Sequence, residues 1–191
     1  MQMSKLGNAL ALAVQAHNGQ VRKSTSIPYI SHPMAVSAIA LEFGATENQA
    51  IAALLHDAIE DGGHKYANII KETFGDHVHD LVQGCTDGTP DHTGNKAPWL
   101  ERKTAYLEHL QEAPDDVLLV SCADKLHNAR AIVSDLINEG PSVFNRFSST
   151  TEQTLWYYRQ LATIFTNRKT PPAKALKSAV SQMEALSQSA W

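Results

Sequence analysis

The stretch AIAALLHDAIEDGG, residues 50–63, carries the decision about the fold. Thr46 with Gln49 just ahead of it reads as a capping box, and Gly62 with Gly63 stops the run, so the spacing predicts one helix through His56, Asp57, Glu60 and Asp61. Its apolar residues cover several sides, and a helix of that kind is buried. Four polar groups then sit where apolar ones are expected. His56 and Glu60, four apart, share a face, and Asp57 with Asp61 forms the adjacent row. An isolated buried carboxylate costs many kcal/mol, so these acids need a partner, and a divalent cation neutralises several at once.

Two further segments set the same problem. VLLVSCADKLHNARAIVSDLI, residues 117–137, is apolar up to Cys122 and then carries Asp124, with Asn128 one turn on along the same face. His32 stands just before Pro33 at a helix start. Two imidazoles and two carboxylates from three helices, without thiolate, suit Mn²⁺, Fe²⁺ or Zn²⁺ better than Ca²⁺ and leave positions open for water and substrate. Each residue also has an ordinary reading: His32 as a cap, and Asp124 as the partner of Lys125 or Arg130.

The pattern elsewhere is helical. Leu6, Leu10, Ala13, Val14 and His17 follow helical spacing after Ser4 as an N-cap, and a loop runs over residues 18–31. Helices are expected from Pro33 to about Phe43, over Tyr66–Phe74, His77–Gly84, Leu100–Gln111, Asp115–Asn138 and Thr150–Asn167, with a last amphipathic helix from Pro171 to about residue 190. Residues 86–98 form a long polar loop, and EGPSVFNRFSS is a connection. No alternating strand pattern and no repeat is present, so the expectation is an all-α, single-domain helical bundle over residues 1–191, with its core at about 4–168.

Composition is that of an ordinary globular protein: 191 residues, 43% hydrophobic, 19% charged, net charge −4. Nothing in it advertises affinity for nucleic acid or membrane, and the N-terminal stretch lacks the continuous apolar centre of a secretory signal. Cys85 and Cys122, far apart with apolar flanks, read as buried thiols of a reducing cytoplasm.

AHNGQVRKSTSIPYISHPMAV, AALLHDAIED, FGDHVHDLVQGCTD, LERK and ADKLHNAR occur in that order between about residues 10 and 135. This set resembles the HD-domain hydrolases and, within them, the (p)ppGpp hydrolases of the RelA/SpoT group. With no stretch similar to the synthetase or C-terminal regulatory regions of that group, the sequence resembles the small alarmone hydrolases, of which the metazoan SpoT homolog is one. The resemblance implies that His32, His56, Asp57 and Asp124 bind Mn²⁺, and that Glu60 and Asp61 position or deprotonate the attacking water. It places Arg22 against the guanine with Lys23 and Ser24 nearby, and Asn128 on the sugar or phosphate. Tyr157 matches a tyrosine that packs on the nucleotide, or is a core aromatic; Arg102 and Lys103 face the phosphates or solvent. His64, His77, His79, His92 and His109 match no role and read as surface or capping residues.

There are departures. IEDGG stands where relatives often have threonine after the acid pair, and Trp99 stands where metazoan relatives carry lysine, which removes a cation. The loop 87–98 has no clear counterpart and is a place to shape nucleotide choice. The implied activity is Mn²⁺-dependent hydrolysis of the 3′-pyrophosphate of (p)ppGpp to GDP or GTP and pyrophosphate, in the cytoplasm, on a small nucleotide and with no nucleic-acid or membrane partner; a homo-oligomer is compatible. Two alternatives stay open: (p)ppApp or the 2′-phosphate of NADPH as substrate of the same site, and a catalytically inactive nucleotide-binding protein.

Overall fold

Among the residues described by the computed structural model, 3–87 and 97–188, regular structure is helical, and the one extended contact is an antiparallel bridge between Val21 and Pro28. In chain order the helices are α1 (Leu6–Ala16), α2 (Ser31–Glu42), α3 (Glu47–Leu55), α4 (Ala58–Gly62), α5 (His64–Phe74), α6 (Asp76–Cys85), α7 (Trp99–Glu112), α8 (Asp115–Glu139), α9 (Thr151–Asn167) and α10 (Ala173–Ser187). The all-α reading holds. The expected boundaries agree to within about two residues, except for the N-cap of α1 and the stretch around His56.

Ser4 is not the N-cap of α1. Lys5 takes that position without a side-chain cap, and its backbone N–H donates instead to Glu47 Oε1 at 2.6 Å, a carboxylate brought in from the first turn of α3. Local spacing cannot reveal a cap supplied 42 residues away. Residues 47–62 are not one helix either. His56 turns its Nδ1 onto the Ala53 carbonyl at 2.8 Å, intruding on the backbone ladder, and Asp57 relaxes to φ −94°, ψ −8°. That sparsely populated region is where active-site residues often sit. The ladder resumes as α4, with Asp61 N–H donating to the Asp57 carbonyl at 2.9 Å. The capping box at Thr46 and Gln49 is present, as is a second at Thr150 and Gln153. Gly63 ends α4 in the left-handed region, φ 80°. The connection before α9 contains a 3-10 helix, Gly140–Arg146. Most of the 87–98 loop, residues 88–96, lies outside the described residues.

The core forms around α8. Every residue from Val117 to Leu126 is buried, and α2, α3, α6, α9 and α10 all pack against this helix. Apolar all round at this depth, α8 is the central element, and its polar Asp124 and Lys125 lie at the buried centre. Beyond α9, the Arg168 guanidinium donates to the carbonyls of Leu110 (3.3 Å), Gln111 and Ala113 (2.8 Å) and pairs with Asp115 at 3.2 Å. One side chain thereby satisfies the orphan carbonyls where α7 ends and α8 begins.

The α6–α8 crossing is close enough to exclude a methyl group. A Cβ added at Gly84 would lie 2.8 and 2.9 Å from the two γ-methyls of Val117, which is 5% exposed and χ1-restricted. Gly84→Ala is therefore expected to destabilise the fold: about 1–3 kcal/mol of overpacking outweighs about 1 kcal/mol of gained helix propensity. A urea midpoint lowered with an unchanged slope would check this.

Candidate active site

His32 reaches the interior because Pro28 and Tyr29 turn the chain into α2, their carbonyls accepting from the N–H groups of Ser31 (3.1 Å) and His32 (2.9 Å). His56 and Asp57 come from the break between α3 and α4, and Asp124 from the buried run of α8. The four converge. His32 Nε2 lies 3.5 Å from Asp57 Oδ2 and 3.2 Å from Asp124 Oδ1, and His56 Nε2 lies 3.1 and 3.6 Å from the same two oxygens. His32, His56 and Asp124 are fully buried; Asp57 keeps 20% of its side chain exposed, on the side from which solvent and ligands can enter.

The His56 ring tests whether these residues suit a cation. With its Nδ1–H donated to Ala53, Nε2 carries a lone pair, is sealed from solvent, and makes no well-aligned hydrogen bond. A lone pair 3.1 Å from a carboxylate oxygen is repulsive unless positive charge lies between them. The electrostatics tell the same story from the protonation side. Burial lowers the affinity of the His56 ring for a proton, but the Asp57 and Asp124 carboxylates outweigh it and raise the pKa well above the ordinary histidine value. Burial would raise the Asp57 carboxyl, yet His56 and His32 hold it far below the usual range; Asp124 is held low against burial by Lys125 and the same two rings. A site that binds its counter-charge this avidly suits a divalent ion with nitrogen and oxygen ligands.

Lys125 Nζ donates to Asp124 Oδ2 at 2.7 Å, so the ordinary ion-pair reading of Asp124 is realised as well. The pair occupies one carboxylate oxygen, and Oδ1 faces the histidines while accepting from Asn128 Nδ2 at 2.6 Å. Asn128 Oδ1 in turn accepts from Arg22 Nη2 at 3.1 Å, across 106 residues of chain. The loop that delivers Arg22 is closed by Arg22 N–H to Ile27 O (2.8 Å) and Tyr29 N–H to Gln20 O (2.9 Å).

Arg22, Lys23, Tyr29, Asn128, Arg146 and Tyr158 line a cleft of about 340 Å³ beside the cluster. Lys23 and Tyr158 also line a smaller lobe of about 160 Å³, together with Trp99, Lys103, Tyr157 and Ser149. Ser24 is at the exposed loop tip in the left-handed region, φ 59°, and lines neither lobe. Tyr157 is buried in the core and also lines a cleft wall: its ring meets Trp99 edge-on at 5.9 Å, Lys103 Nζ lies 5.0 Å from its centroid, and its buried hydroxyl has no hydrogen-bond partner among the described residues. Arg102 and Lys103 both pair with Asp87, but Arg102 faces a separate cleft with Tyr106 and His109.

Glu60 is half-buried and Asp61 exposed on α4, with Asp61 Oδ2 3.7 Å from Nδ1 of the buried His17. His77 and His109 are exposed, His79 is half-buried beside Asp80, and His92 lies outside the described residues. Three contributors were not singled out in the sequence. Tyr29 donates its hydroxyl to Asp57 Oδ2 at 2.6 Å, and burial together with that carboxylate keeps the phenol protonated. His127 lies with Nδ1 2.8 Å from His32 Nδ1, its pKa lowered to about 4 by burial, His32 and Arg22. Asp87 anchors the two basic residues of α7. Tyr29 and His127 stand inside the quoted motifs, three residues from His32 and Asp124, and for His127 that helical spacing was the available signal.

Residues 9–152 match the HD domain family. The guanosine-3′,5′-bis(diphosphate) 3′-pyrophosphohydrolase of Xenopus tropicalis is 37% identical over 125 residues, 64% of this chain and 66% of its own length. The bifunctional (p)ppGpp synthase/hydrolase SpoT of Escherichia coli (strain K12) is 34% identical over 139 residues, 70% of this chain and 19% of that protein; the chain spans less than a fifth of such long bacterial relatives. A solved structure described as a metazoan ortholog of SpoT that hydrolyses ppGpp and plays a role in starvation responses superposes with a TM-score of 0.72 at 27% identity, covering 97% of this chain and 96% of that one.

Proposed function

The chain belongs to the HD domain family, and from that premise we propose that it is a Mn²⁺-dependent hydrolase removing the 3′-pyrophosphate of (p)ppGpp, which yields GDP or GTP and pyrophosphate. The observation that carries the reading is the pair of imidazoles facing two carboxylates in a buried cluster, beside a cleft walled by Arg22, Lys23 and Asn128. The names of the Xenopus and Escherichia coli relatives support the choice of substrate.

His32, His56, Asp57 and Asp124 would hold the ion. Bound there, Mn²⁺ supplies polarisation of a phosphoryl oxygen and acidification of a water molecule. The chain's own groups do the rest. Arg22, held by Asn128, offers a planar cation to the guanine or to phosphate, and Lys23 with Lys103 supplies charge for the remaining phosphates. Glu60 or Asp61 takes the proton of the attacking water as its oxygen bonds the 3′-phosphorus. The bond from that phosphorus to O3′ breaks, and the ribose oxygen leaves with the proton that the carboxylate took from the water. Tyr29 holds Asp57 through its hydroxyl and so fixes the rim of the cluster. Cys85 and Cys122, buried and unpaired, suit the reducing cytoplasm in which such nucleotides occur.

The test is product release by the purified chain with Mn²⁺, measured side by side as pyrophosphate from ppGpp and ppApp and as inorganic phosphate from NADPH. Turnover of ppGpp that exceeds the other two is the expected outcome. Preference for ppApp or NADPH would replace the substrate, and tight ppGpp binding without turnover at saturating Mn²⁺ would replace the enzyme by a binding protein.

A further inference from the structure

A histidine that coordinates through one nitrogen must carry its proton on the other, and what receives that proton fixes the ring. For His56 the receiver is the Ala53 carbonyl at 2.8 Å, a backbone group that can only accept. For His32 no carbonyl or carboxylate among the described residues serves. Its Nδ1 lies 2.8 Å from Nδ1 of His127, the two rings tilted at 44° with centroids 4.8 Å apart.

Two ring nitrogens at this distance share one proton. Two lone pairs would repel, and two N–H groups would collide, so the tautomers of the rings are locked in opposition. In one arrangement His32 bears its proton at Nδ1 and turns a lone pair at Nε2 toward Asp57 and Asp124. In the other, His32 Nε2–H points at those carboxylates and the ring cannot act as a ligand. Only a neutral His127 protonated at Nε2 permits the first arrangement.

We propose that His127 is a positioning residue of the metal centre: its Nδ1 accepts the Nδ1–H of His32 and holds that ring in its coordinating tautomer. The inference rests on the metal reading of the preceding subsection. It assigns to α8 a second task besides supplying Asp124. His127, three residues on, orients a ligand that arrives from α2, and Asn128 beside it holds Arg22. Ion and nucleotide contacts are thus set from a single turn of one helix.

The experiment is Mn²⁺ titration followed by the electron paramagnetic resonance of the free ion, on the whole purified chain, with circular dichroism to confirm folding. His127→Ala is expected to weaken Mn²⁺ by about 10- to 100-fold, the usual cost of losing such a partner. His127→Gln, whose amide oxygen can accept the same N–H, is expected to bind within a few-fold of the unaltered protein. A merely structural role would not produce that rescue. Binding by His127→Ala within about twofold of the unaltered chain overturns the proposal, as does a His127→Gln variant as weak as the alanine one. Failure of the unaltered chain to take up Mn²⁺ overturns the metal centre and this inference with it. Mn²⁺ uptake without ppGpp turnover overturns the substrate alone and leaves the role of His127 standing.

Discussion

Asp57→Ala is expected to reduce Mn²⁺-supported turnover of ppGpp by roughly 10³-fold or more, to background. A metal supplies several kcal/mol of charge stabilisation to phosphoryl transfer, and each 1.36 kcal/mol is about a factor of ten. Asp57 Oδ2 lies within 3.5 Å of both histidine Nε2 atoms, so its loss removes negative charge from the centre of the cluster. Asp57 is also the cleaner of the two aspartates to remove. It is partly exposed, and its deletion leaves the Tyr29 hydroxyl, beside open cleft, to find water, while His32 and His56 still face Asp124. Asp124→Ala would strand Lys125, whose buried ammonium is held charged by that carboxylate against the cost of burial. Such an unpaired charge costs about 3–5 kcal/mol, and the variant would confound folding with chemistry. Pyrophosphate release paired with thermal unfolding separates the cases: Asp57→Ala should keep its melting temperature and lose its rate. Activity within tenfold of the unaltered chain would remove Asp57 from the metal set.

Glu60→Gln and Asp61→Asn are expected to lower kcat by about 10²- to 10⁴-fold, the range spanned by general acid–base groups, with KM and Mn²⁺ affinity little changed. Both acids ride on α4, the short helix that starts immediately after Asp57 and is tied to it through Asp61 N–H to Asp57 O. They therefore sit within one turn of the metal cluster without being part of it. Glu60 is half-buried, while Asp61 is exposed and lies 3.7 Å from His17. The larger loss is expected at Glu60. Single-turnover measurement at saturating Mn²⁺ gives the chemical step directly. A Glu60→Gln variant whose rate is intact, with the Asp61→Asn rate also intact, would return these residues to the role of a solvated helix end.

The helical architecture was legible because its signals are local. Periodic apolar residues, the Thr46–Gln49 capping box and the glycines after Asp61 all act within a few positions of the backbone they control. The cluster of His32, His56, Asp57 and Asp124 was legible for a different reason: polar residues embedded in apolar runs have to be satisfied by something. What escaped depends on distant chain. The cap of α1 is Glu47, the anchor of Lys103 is Asp87, and the partner of Arg22 is Asn128, none of which spacing can connect. The break at His56 escaped as well, because helix propensity sees an uninterrupted run and cannot see a histidine claiming the Ala53 carbonyl.

Asp124, Lys125, His127 and Asn128 occupy neighbouring positions of a single unbroken helix of 25 residues, whose stretch from Val117 to Leu126 is buried in the core. Such a shaft turns or slides only as a whole, so a shift that retuned the fit to one nucleobase would throw the ion cradle out of true. Any divergence in base selection among proteins built this way must therefore be written on the opposite walls, at Lys23 and along the face of α7 that bears Trp99, where substitution leaves the axle untouched.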